Sequence, residues 1–264
     1  MMRITDTVKH LIIINVLLWL TTVVLGMRMN IDLNNILALH FPENNAFGFW
    51  QPITSMFMHD VTSPMHILFN MIGLWMFGSA LEMRWGKVKF LSFYFITGVG
   101  AALVHTIINY YHFYTAQNIL FESGFSVAEV NDFFQLSYEE FIRQLNTNFF
   151  NGKHINDIQA VFDNGVSYYS TAVGASGALY GVLVAFGMMY PNMKLMMIFI
   201  PIPIKAKYFI PLLLTYDFIS GISGGAGLFG GGSIAHFAHL GGALFGFLLM
   251  WYWNKTQFTK NRWD

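Results

Sequence analysis

Six apolar stretches, each close to the length a helix needs to cross a bilayer, punctuate this chain. They run from Leu11 to Gly26, Met65 to Leu81, Phe90 to Asn109, Thr171 to Tyr190, Tyr208 to Ile222 and Ile234 to Trp253. A helix crossing about 30 Å of hydrocarbon takes roughly 17 to 25 residues, which leaves the first and fifth stretches short. Backbone in lipid must satisfy its hydrogen bonds internally, and a helix does so within one segment. The pattern predicts an all-α membrane protein, a bundle of six transmembrane helices. Hydrophobic residues make up 55% of the chain and charged residues 11%, against about 25% charged in an average soluble domain. The 14 basic residues balance the 14 acidic ones, so no global field recruits a polyanion, and nucleic acid is not expected as a partner. Cysteine is absent, which removes disulfides, thiolate nucleophiles and Cys-ligated metals from consideration. Any chemistry falls to Ser, His, Asp, Glu, Asn or Tyr.

Sorting the bases into alternate loops gives a lopsided division. Arg3, Lys9, Arg84, Lys87, Lys89, Lys194, Lys205, Lys207, Lys255, Lys260 and Arg262 fall on one side, and Arg28, Arg143 and Lys153 on the other. Short cytoplasmic loops are enriched in Lys and Arg, so both termini are expected in the cytoplasm, as an even number of spans requires. The first segment is read as a retained span, because no small-residue cleavage site follows it.

The whole chain, residues 1–264, reads as one membrane domain, with an extracytoplasmic insert over 110–170 between the third and fourth spans. The insert carries Glu122, Glu129, Asp132, Glu139, Glu140, Asp157 and Asp163 against two bases. Helical apolar spacing from Ser126 to Phe150 predicts one or two short amphipathic helices on the outer face. Their aromatics are expected to contact membrane or helix.

Polar groups inside membrane spans are costly and mark candidate sites. His66 and Asn70 are four residues apart, on one helical face. Ser176 lies in Gly174-Ala175-Ser176-Gly177, a small-residue run that favours close helix packing as well as an accessible hydroxyl. His239 precedes Gly242 and Gly246, a GxxxG face that draws another helix near. In the orientation set by the bases, these groups all fall in the first part of spans running inward from outside. At 1.5 Å per residue Ser176 and His239 lie about 7 to 8 Å below the starts of their segments. One wet depression could then serve them all.

Serine plus histidine is the minimal pair for nucleophilic catalysis, imidazole taking the hydroxyl proton as oxygen attacks a carbonyl. His66, Asn70 and the Ser176 backbone N–H are candidates to hold the resulting oxyanion. Asp217 belongs near the middle of the fifth span and is not expected to orient His239. Tyr180, one turn from Ser176, is expected to stack on that imidazole. The expectation is a dyad.

The segments from Trp50 to His59, His66 to Asn70, Leu81 to Gly86, Gly174 to Gly181 and Ala238 to Gly246, in this order on six spans, resemble the rhomboid family of intramembrane serine proteases. The resemblance covers Ile12 to Trp253 apart from the insert. It implies Ser176 as nucleophile, His239 as general base, Tyr180 stacked on His239, and His66 and Asn70 as oxyanion residues. Glu82, Arg84 and Gly86 match an element that looks structural, and Gly174, Gly177, Gly242 and Gly246 match glycines of the motifs. The implied reaction is hydrolysis of a peptide bond in or beside a substrate's transmembrane helix, without metal or cofactor. Partners would be transmembrane protein substrates and the lipid bilayer, and the compartment a bacterial cytoplasmic membrane with the active site opening outward. The glycine-rich run Gly221 to Gly232 resembles a mobile outer cap. His59 and His236 match no family role and are expected to serve capping or surface contacts.

Alternatives are a non-catalytic rhomboid-like binder of membrane helices and a transporter with a histidine proton relay. The transporter predicts internal repeats, which the sequence does not display. A metal site on His66, His236 and His239 lacks a clear carboxylate partner.

Overall fold

The protein is described by a computed structural model covering residues 3–196, 203–223 and 233–260. Helix α1 is Asp6–Met29, followed by the short α2 (Asn34–Leu37) and α3 (Gln51–Thr54). Helix α4 (Pro64–Gly73) passes through a π-helical turn, Leu74–Gly78, into α5 (Ser79–Trp85), and α6 is Lys87–Glu122. Then come α7 (Val127–Phe134), α8 (Tyr138–Thr147), the hairpin β1 (Phe149–Phe150) with β2 (Lys153–His154), and α9 (Ile158–Gly165). Helix α10 is Ser176–Met189, β3 (Lys194–Leu195) pairs with β4 (Ile204–Lys205), and α11 (Ala206–Ser223) and α12 (Ser233–Lys260) follow. The chain divides into two compact units, one of Met1–Ala38, Trp50–His105 and Val173–Asp264, the other of Leu39–Phe49 and Thr106–Ala172.

Five of the six apolar stretches lie within helical segments, and the fourth is helical from Ser176 to Met189. Among the described residues, Asp6–Met29, Pro64–Trp85 and Lys87–Glu122 are long and apolar enough to cross a membrane, and α10 is shorter. Where boundaries differ from expectation, the cause is identifiable. The third stretch was expected to end at Asn109, yet α6 runs on to Glu122, because no Gly or Pro interrupts Ala101 to Glu122. Gly124, at φ +86°, then turns the chain, and Phe125 donates its N–H back to the Leu120 carbonyl at 3.2 Å. The fourth stretch was expected to be helical from Thr171, but its helix starts at Ser176. Gly174 at φ +126° donates its N–H to the Ser55 carbonyl at 2.9 Å, a conformation L side chains rarely adopt.

In the first unit α10 packs against α12, α11, α4 and α5. Glycines set the approach of α10 and α12. A Cβ on Gly246 would stand 2.6 Å from Gly181 Cα, so backbone meets backbone. Glu82 on α5 caps the start of α1, accepting from the N–H groups of Thr7 at 3.1 Å and Val8 at 3.0 Å and from the Thr5 hydroxyl. These N–H groups have no acceptor within the helix, and the carboxylate complements the positive end of its dipole. Gly86, at φ +77°, ends α5, while Arg84 is exposed.

In the second unit α7 begins with a capping box between Ser126 and Glu129, and Ser137 caps α8. Both helices lie within the predicted helical stretch, and α9 is a third that the apolar spacing did not reveal. Phe133, Phe134, Phe141 and Leu145 turn inward on Phe113, Phe41 and Tyr168 in a shared core, the helix-facing alternative for these aromatics. Residues 39–49 join this core although they precede the stretch read as the insert. Of the glycine-rich run, Gly221 to Ser223 complete α11, and 224–232 lie outside the described residues.

Candidate active site

Ser176 is the first residue of α10, so its N–H and those of Gly177 and Ala178 have no acceptor within the helix, and the positive end of the helix dipole lies at the hydroxyl. The site therefore begins at a helix terminus, not a turn and a half inside a span as residue counting suggested. On α12, His239 brings its Nε2 to 2.8 Å from the Ser176 Oγ. Gly242, one turn further on, permits this closeness: a Cβ there would overlap the Gly177 carbonyl oxygen at 1.8 Å. The Tyr180 ring stacks on the imidazole with centroids 4.2 Å apart and planes within 7°, which restrains imidazole rotation. Ser176 is half-buried and the His239 side chain 12% exposed, so solvent reaches the pair.

His66, on the first turn of α4, lies on the other side of Gly174. A Cβ on that glycine would lie 3.0 Å from His66 Nε2 and 3.5 Å from Ser176 Oγ. Gly174 thus keeps open a gap that a side chain would fill. The Asp60 N–H approaches His66 Nδ1 at 3.5 Å; with Nδ1 as its acceptor, the neutral imidazole carries its proton on Nε2, which borders the gap. Asn70 is buried, and its amide donates to the His66 carbonyl at 3.0 Å, so one N–H is already engaged and one remains. His59 was expected at a cap or surface. It is instead fully buried with its ring 5.2 Å from that of His66, and burial pushes its imidazole down to about 3, so it is neutral beside His66.

Two further groups reach the same place. Asp217 on α11 is buried, and its Oδ1 stands 2.5 Å from His236 Nδ1 and 3.5 Å from His239 Nδ1. His236 is 2% exposed, which replaces the expected surface role with a buried hydrogen bond. Depth counted along a straight span places Asp217 away from His239; the packing of α11 against α12 brings it within 3.5 Å of that imidazole. Ligating atoms of Asp217, His236 and His239 lie within 4.8 Å of one another, a spread open to a cation. The 2.5 Å contact is nevertheless hydrogen-bond length, whereas two ligands about 2.0 to 2.1 Å from one tetrahedral zinc stand roughly 3.3 Å apart. The groups as arranged are set for proton sharing.

Residues 46–128 and 150–256 match the rhomboid domain. The chain is 25% identical over 191 residues to the mitochondrial rhomboid protein 1 of Saccharomyces cerevisiae, covering 72% of this chain and 38% of that protein. It is 37% identical over 62 residues to the rhomboid protease AarA of Providencia stuartii, covering 24% of this chain and 21% of that one. The chain thus matches well under half the length of either relative.

Proposed function

The chain belongs to the rhomboid family, and from that premise we propose that it is an intramembrane serine endopeptidase whose nucleophile is Ser176. It is a multi-pass membrane protein. The observation that carries the reading is the 2.8 Å contact between Ser176 Oγ and an imidazole held flat by Tyr180.

His239 Nε2 accepts the hydroxyl proton as Oγ attacks a substrate carbonyl, and the imidazolium returns it to the departing amine. The carbonyl oxygen becomes an oxyanion in the gap beside Gly174. The Nε2 of His66 borders that gap, and the Ser176 N–H, free of any acceptor within α10, is the second donor of this reading, at the positive end of the helix. Asn70 holds the His66 backbone through one N–H and offers the other. Water then attacks the acyl-enzyme with His239 again as base, and Ser176 is regenerated. The two nucleophiles are the Ser176 hydroxyl and water, and His239 carries the proton in both halves.

The substrate class follows from the solvent. A transmembrane helix hides its carbonyls in its own hydrogen bonds, so it must unwind before a serine can reach one. Small residues at the cut and helix-weakening Gly, Pro or polar residues beside it lower that cost. Six spans, both termini cytoplasmic and a site opening to the extracytoplasmic side complete the proposal, on the distribution of Lys and Arg.

The test is cleavage of a labelled single-span protein by the purified protein in lipid vesicles. Wild type is expected to give two fragments whose masses place the cut in or beside the apolar stretch. Ser176→Ala and His239→Ala are expected to give none, and cleavage surviving either change would overturn the proposal.

A further inference from the structure

We propose that Asp217 is a positioning residue for His239, itself held by His236, so that the working unit is Ser176, His239 and Asp217 in series and not a pair alone. The inference rests on the Ser176 reading above and adds a member to it.

A carboxylate that is 3% exposed must be paired or it will not persist as an ion. Asp217 has two imidazoles on one oxygen, and the spacing of three residues on α12 sets both on the same helical face. His236, 2.5 Å away, is the tighter partner, and with both groups buried it fixes where the carboxylate points. A partner for Asp217 alone would end there. Instead the same Oδ1 lies 3.5 Å from His239 Nδ1, longer than a hydrogen bond, and that buried nitrogen has no hydrogen-bond partner among the described residues, which leaves the carboxylate as the acceptor within its reach. A carboxylate oxygen attracts N–H, so the His239 proton sits on Nδ1, and Nε2 carries the lone pair that the Ser176 hydroxyl meets at 2.8 Å. Opposite tautomer, no base. As Oγ attacks, His239 becomes an imidazolium, and a fixed negative charge on its far side stabilises that state. A charge-assisted N–H···O⁻ bond is about 2.7 to 2.9 Å long, so the 3.5 Å resting separation shortens by roughly 0.6 to 0.8 Å as the imidazolium forms, in the way resting-state contacts tighten around substrate.

The test measures kcat and KM for the single-span substrate in vesicles across pH 5 to 9, using the full chain. Titratable groups around the unit are Tyr180 on α10, Tyr216 on α11, His236 on α12 and His66 on α4. Asp217→Asn is expected to lower kcat by on the order of 10- to 100-fold, less than the roughly 10⁴-fold seen for a directly bonded triad acid, because the contact is looser and Tyr180 still holds the ring. KM is expected to hold. The acid limb of kcat/KM is expected to move to lower pH, since the imidazolium has lost its stabilising charge. Asp217→Glu is expected to restore part of kcat. His236→Gln leaves His239 as the sole imidazole on the carboxylate, so its acid limb is expected to move the other way, to higher pH. This variant and Asp217→Glu carry the test if Asp217→Asn does not fold. Limbs unmoved in the folded variants, or a kcat loss with no change in the pH profile, would overturn the proposal. If Ser176→Ala still cleaved, the underlying reading would fail instead, and the two failures are distinguishable.

Discussion

A Cβ on Gly242 would stand 1.8 Å from the carbonyl oxygen of Gly177, with no flexible side chain between them to yield. The backbone contact brings His239 within reach of Ser176. Gly242→Ala must separate α10 from α12, and overpacking typically costs about 1 to 3 kcal/mol, with the upper end expected where backbone has to yield. The expected result is a lower melting temperature together with loss of cleavage. Gly26→Ala is the control: its added Cβ would meet nothing nearer than 4.0 Å, and it is expected to be neutral or to stabilise α1 by up to ~1 kcal/mol. Equal melting temperatures for the two variants would contradict this account of the packing.

Glu82 caps α1 from a distant helix. Glu82→Gln removes the charge that two N–H groups and the Thr5 hydroxyl share. Charge-assisted bonds of this type are worth about 1.5 to 3 kcal/mol, so a loss near 2 kcal/mol is expected in a thermal melt. Arg84 is exposed, and Arg84→Ala is expected to change stability by less than about 0.5 kcal/mol. A reversed order would place the structural role of this motif on the arginine.

The serine, the imidazole and the stacking tyrosine were legible in the chain because each lies in a short motif whose spacing is local. Asp217 and His236 were not. Depth counted along an idealised span placed Asp217 too far inward, and no local pattern reports how α11 crosses α12. The start of α10 was missed for a similar reason. Apolarity extends back to Thr171, but the bond from Gly174 to Ser55 and the positive φ of Gly174 hold the preceding chain out of the helix, which begins at Ser176. His59 and His236 match no role in the motifs, and their burial follows from contacts that no local pattern reports. The extension of α6 beyond Asn109 is polar enough to escape a search for spans, although it holds no residue that would stop a helix.

The two oxyanion candidates are not equivalent. His66 presents Nε2 to the gap beside Gly174, whereas Asn70 has one N–H committed to the His66 carbonyl. His66→Ala is therefore expected to lower kcat by about 10²- to 10³-fold with little change in KM. Asn70→Ala is expected to cost less, with part of its effect arising through the position of His66. Steady-state kinetics on folded variants decides this, and a larger loss for Asn70→Ala would assign the principal donor to the amide.

Glu129 supplies a pH dependence outside the spans. Its carboxyl is held down to about 2, first by the hydrogen bond from Lys153 and then by the Ser126 cap. A depressed folded value means the stabilisation is complete above the ordinary value of 4.5 and is lost as pH falls from there to about 2. Hydrogen exchange across α7, corrected for intrinsic rates, is expected to show protection falling over that window. Glu129→Gln is expected to flatten the fall, and an unchanged slope would locate the titration elsewhere.

The central claim is that Ser176 is a nucleophile because His239 makes it one. A serine-directed phosphonate, applied to the protein in vesicles and followed by peptide mass spectrometry, measures this most directly. The account predicts one adduct, on Ser176, formed at least about 10²-fold more slowly in His239→Ala, the loss expected when a general base is removed. An adduct on another serine, or an unchanged rate at Ser176 without the imidazole, would contradict it.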